Sequence, residues 1–176
     1  MKKLFSHADV KLITAIACLF LMSGACSAPK HEGFAIYLTK GDVPPAQMEA
    51  LSHIDIAEQP VFATDDIISY NAGTHEITLT EDAYKRVCSL EVPVRGRSFV
   101  VCVDRNPIYR GAFWNPVSSM SFNGVTIMKP LGSGDSKTIK LELGYPSPSF
   151  YGGEDPRDST EVLAALQRAG KLTDMP

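Results

Sequence analysis

Apolar and polar positions alternate with a period of two over several short stretches and follow a helical period over two longer ones. In residues 74–80, Ile77 and Leu79 fall on one side and Thr78 and Thr80 on the other, the pattern of a half-buried strand. Residues 138–143 repeat it, with Ile139, Leu141 and Leu143 opposite Lys140 and Glu142. Residues 98–103 (SFVVCV) are apolar on both faces and predict a central strand covered on both sides. Residues 34–39, 67–70 and 108–114 read as further strands, Ile54 and Ile56 as a short one, and residues 59–66 as connecting chain or strand. Asn71-Ala72-Gly73 and residues 104–107 are turns. Asn123-Gly124, between Phe122 and Val125, predicts a hairpin within residues 118–128.

Two segments carry helix signals. Thr80 is a natural N-cap, Glu81 and Asp82 sit where the helix dipole favours acids, Ala83, Val87 and Leu90 form an inner face, and Pro93 ends the segment. Further on, Asp158 and Glu161 read as a capping box before a stripe of Val162, Leu163, Leu166 and Ala169. Gly170 stops that helix, and Leu172 could close its C-cap. Pro45 suits the start of a single helical turn over residues 46–51. No internal repeat or linker interrupts residues 34–176. The expected fold is one α+β domain, a mainly antiparallel sheet with two main helices packed on it.

The N-terminus follows another logic. Lys2, Lys3 and Lys11 precede an 11-residue run, residues 12–22, broken only by Thr14. That is the make-up of a secretory signal, and it is too short for a transmembrane helix, which needs about 20 residues. Ser23-Gly24-Ala25-Cys26 then resembles the lipobox of bacterial lipoproteins, although Ser23 stands where that family usually has leucine. The resemblance implies removal of residues 1–25, lipidation of Cys26 and a tether over residues 26–33. By the same family's sorting rule, Ser27 does not favour inner-membrane retention. Plain secretion is the alternative.

Composition matters once the chain is divided there. The full 176 residues are 44% hydrophobic and 21% charged, with a net charge of −3, which excludes collagen, coiled coil and wholesale disorder. Without residues 1–25 the chain loses three lysines and one aspartate, leaving 14 basic side chains against 19 acidic ones over 151 residues, a charge of −5. An acidic domain without basic runs argues against nucleic-acid binding. Cys88 and Cys102 remain for the fold. Outside the cytoplasm they could form a disulfide or stay buried thiols, and their spacing fits neither redox nor zinc motifs.

Catalytic motifs do not emerge. His31, His53 and His75 show no metal-ligand spacing and read as surface histidines, and Ser118, Ser119 and Ser121 read as turn or solvent-facing residues. Glu154, Asp155 and Asp158 could approach calcium but lack EF-hand spacing. No cofactor or metal is expected. The aromatics Tyr109, Phe113, Trp114, Tyr145, Phe150 and Tyr151 are divided between core packing and a partner-binding surface.

Residues 67–128, about 40% of the chain beyond the signal, resemble part of the first periplasmic domain of the protein-export protein SecD. The matching features are Ile77-Thr78-Leu79-Thr80, the helix to Leu90, the segment from Gly96 to Val103 with Asp104, and Pro107-Ile108. The resemblance implies an extracytoplasmic α+β domain. The functional expectation is a lipid-anchored envelope protein that binds a protein, peptide or small molecule, without an evident catalytic site. The alternatives are an envelope hydrolase with a dispersed site and an accessory factor of export or envelope assembly.

Overall fold

The extended stretches pair edge to edge into one sheet. A computed structural model describes residues 33–132 and 136–173; the signal segment, Cys26 and His31 lie outside them. These described residues group as one unit. Among the described residues the strands are β1 (Phe34–Leu38), β2 (Phe62–Ala63), β3 (Ile67–Asn71), β4 (Glu76–Leu79), β5 (Arg97–Val103), β6 (Asn106–Trp114), β7 (Phe122–Met128), β8 (Thr138–Tyr145) and β9 (Leu172–Thr173). Their spatial order is β2-β1-β5-β6-β7-β8-β4-β3-β9. The α-helices are α1 (Glu81–Ser89) and α2 (Thr160–Arg168). The fold is α+β with a mostly antiparallel sheet. The sheet is mixed, because β6–β7 and β3–β9 run parallel.

β5 lies between β1 and β6 and is covered on both faces, as its unbroken apolar run requires. On one face Phe34, Ile36, Phe99, Val101 and Phe113 join the buried faces of both helices in the main core. On the other, Ala35, Tyr37, Val100 and Cys102 form a smaller cluster under Leu51, Ile54 and Ile56. Thr80 caps α1 by accepting from the Ala83 amide. In α2, Val162 and Leu166 are fully buried, each contributing roughly 1.5–3 kcal/mol.

Three expectations are corrected. Asn123-Gly124 makes no hairpin: both residues lie inside β7, beside an irregularity between Phe122 and Val125. The chain instead crosses from β6 to β7 by residues 115–121 and re-enters parallel. Tyr145 Oη lies 3.3 and 3.1 Å from the carbonyls of Pro116 and Ser118 and can donate to either, which fastens this crossover. Ile54 and Ile56 form no strand; Ile56 makes one isolated bridge to Thr39. α2 takes Ser159 as its N-cap, without a side-chain cap bond, so Asp158 is released from capping. Leu172, after the Gly170 stop, packs against the main core and pairs in β9 beside Tyr70.

The parallel join requires a glycine. A Cβ on Gly111 would lie 2.5 Å from the Val125 carbonyl and 2.4 Å from the Phe99 ring. β6 therefore approaches β7 as closely as it does because position 111 has no side chain.

Candidate functional site

β4 is shorter than the strand beside it, and the difference opens a cleft. Asn71 Oδ1 accepts from the Thr74 amide at 2.9 Å, tightening the β3–β4 turn. His75 then adopts φ +56°, a left-handed conformation uncommon for a non-glycine residue. The ladder starts at Glu76, while β8 runs on to Tyr145. The last ties across this flank go to Leu141, whose amide donates to the His75 carbonyl (3.0 Å) and whose carbonyl accepts from Arg157 Nη1 (2.7 Å). Beyond them lies a cleft of about 630 Å³, with Thr74, His75, Lys140, Leu143, Tyr145 and Arg157 in its wall. That volume is in the range of small-ligand sites.

His75 is buried, not a surface residue, and Nδ1 lies 3.1 Å from Tyr70 Oη. This contact fixes the ring's tautomer. Tyr70 is fully buried, and its hydroxyl has no other partner among the described residues. If it accepted from Nδ1, its own proton would be stranded in the core, at a cost of about 1–3 kcal/mol. Tyr70 therefore donates, and burial, with Asp158 nearby, raises its pKa and keeps the proton in place. Nδ1 is the acceptor. With Tyr70 donating, the proton of the neutral ring belongs on Nε2, and His75 is one of the residues that line the cleft. Burial, then Arg157, lowers the His75 pKa against the pull of Asp158, so the ring is neutral near pH 7.

Behind His75 stands an ion pair. Arg157 Nε and its own amide donate to Asp155 Oδ1 (2.9 and 3.0 Å), and Nη2 donates to Oδ2 (2.6 Å). These bonds hold the Asp155 carboxyl below its ordinary pKa. Burial alone would lower the Arg157 pKa, but the bonds to Asp155 raise it. Ligand atoms of His75, Asp155 and Asp158 come within 4.8 Å of one another. With both Asp155 oxygens engaged, the group offers little to calcium, which takes about 6–8 oxygens. Asp158 Oδ1 is 3.9 Å from His75 Nδ1, beyond hydrogen-bond range.

The other residues singled out by sequence do not converge here. Cys88 and Cys102 are not joined in a disulfide. Cys88 packs against the main core and Cys102 belongs to the cluster on the opposite face, so the sheet separates them. Tyr109 (4% exposed) and Trp114 (2%) are core residues, not a partner surface. Trp114 stacks on Phe122 at 5.2 Å and meets Tyr145 at 5.8 Å. Tyr145 lines the cleft, Tyr151 is half-buried with its hydroxyl on the Glu154 carbonyl, and Phe150 is 46% exposed. Ser118 is buried and donates to the Val94 carbonyl, whereas Ser119, Ser121 and His53 are exposed. The sequence held a signal for His75: it is in phase with Ile77 and Leu79, so strand alternation places it on the buried side.

Comparison with protein-family models, curated proteins and solved structures yields no match. Among the described residues no helix is long and apolar enough to cross a membrane.

Proposed function

We propose that this chain is a lipid-anchored protein of the bacterial cell envelope whose α+β domain binds a ligand in the cleft beside β8 and catalyses no reaction. The anchor rests on the signal pattern and Cys26. The preference for binding over hydrolysis rests on one observation, the Tyr70–His75 hydrogen bond. A histidine acting as general base must present a lone pair to the reacting proton. Here the lone pair is spent on Tyr70, and the cleft receives an N–H. A neutral, fixed donor is a recognition element for carbonyl or other acceptor groups.

Two measurements test the two halves. Labelled palmitate is expected in the wild type and not in Cys26→Ala; equal labelling overturns the anchor. Chromogenic ester, phosphate, glycoside and peptide substrates should give no turnover above background. Turnover that disappears in His75→Ala overturns binding in favour of hydrolysis.

A further inference from the structure

We infer that the ligand is an extended peptide segment of another protein, which adds as a short strand to the open flank of β8 and exchanges main-chain hydrogen bonds with Leu143. The inference rests on the binding reading above and specifies its ligand.

The direction of each main-chain group in β8 follows from its neighbours. Ile139 pairs with Ile77 of β4, and two residues on, the Leu141 amide and carbonyl also point that way, to His75 and Arg157. The Glu142 and Gly144 carbonyls point to β7, where Thr126 Oγ1 lies 3.4 and 3.2 Å from them. Val125, opposite Leu143 in β7, turns its carbonyl to Gly111 of β6. Antiparallel ladders alternate between hydrogen-bonded and non-bonded pairs. The Leu143 N–H and C=O therefore face away from β7 and into the cleft that Leu143 lines. Among the described residues neither group takes part in a main-chain bond outside the strand ladders. β4 would have covered them had it continued past His75.

A main-chain donor and acceptor at strand spacing, beside an interrupted neighbour, is the recognition feature of strand addition. Running antiparallel to β8, as β4 does, the segment would bring its C-terminal side to His75, where Nε2–H can donate to a further carbonyl. The surrounding charges are mixed, Lys140 and Arg157 against Glu142, Asp155 and Asp158. Neither sign prevails, which favours uncharged peptide groups over an anionic ligand. Gly144, at φ +67°, bends β8 immediately afterwards, so the contact is short.

The test uses the processed full-length protein in detergent and a display library of random octapeptides. Recovered peptides are measured against wild type, Leu143→Pro, which removes the donor, and Thr74→Trp, an exposed position that fills the cleft without touching the core. Affinity is expected to fall about tenfold in both variants, and to fall likewise when one interior peptide nitrogen is methylated. If Leu143→Pro fails to fold, Thr74→Trp and the methylated peptides decide. Recovery of no peptide, or of peptides indifferent to Thr74→Trp and to methylation, overturns strand addition; the second result leaves ligand binding standing. Self-association of wild type that Thr74→Trp abolishes assigns the flank to a second copy and also overturns the proposal. His75-dependent substrate turnover overturns the underlying reading instead.

Discussion

Burial, reinforced by Arg157, pulls His75 toward its neutral form. Its pKa in the fold is lower than in the unfolded chain, where histidine titrates near 6.5. As pH falls through that value the unfolded state takes up the proton first, so stability falls and then levels off below the folded pKa. The urea midpoint should drop between about pH 7.5 and about pH 5.5, and His75→Gln should flatten that part of the profile. Asp155 acts lower: its depressed pKa adds stability above the ordinary carboxylate range that is lost as pH falls through the folded value. Tyr109 presents the opposite case to Tyr70. Its hydroxyl is buried without a partner among the described residues. Tyr109→Phe removes a stranded polar group and is expected to raise stability by about 1 kcal/mol in urea titration. Sequence identified Tyr109 but not its surroundings, because a tyrosine in a strand looks the same whether its hydroxyl meets solvent, a histidine or nothing.

Elements with a sustained period were legible, and those set by distant contacts were not. α1, β4, β5 and the start of β8 follow directly from alternation or capping. The Asn123-Gly124 pair misleads because a turn sequence has only a local preference. Tyr145 and the Gly111 approach, both remote in sequence, favour a crossover instead. Accordingly Gly111→Ala should cost about 1–3 kcal/mol, the range for forcing atoms into a packed interior. Asn123→Ala, exposed within β7, should stay within about 0.5 kcal/mol of wild type. Urea titration of the two variants checks both. The cleft was illegible for a related reason. It arises from a mismatch in length between β4 and β8, and neither strand's own sequence records where its neighbour stops.

At the scale of the molecule, the sheet is a partition. It keeps Cys88 and Cys102 on opposite faces, so reductant should leave the melting temperature unchanged. Under native conditions a thiol reagent should modify half-buried Cys88 and reach buried Cys102 only on unfolding. Mass spectrometry of labelled peptides separates the two; a bridged peptide would contradict the fold.

The sheet's outer edges, β2 and β9, are two residues long each. Copies held by lipid on one membrane would meet at high lateral density, where a long bare edge templates chain-to-chain growth. Such short margins offer little for another sheet to extend. The open stretch of β8 is set inside the sheet, between the β3–β4 turn and the Arg157 segment. A loose strand can enter there, but the flat rim of a neighbouring copy cannot. If the proposed anchor and strand addition hold, the protein could crowd on a surface without polymerising and still keep a place for a partner's backbone.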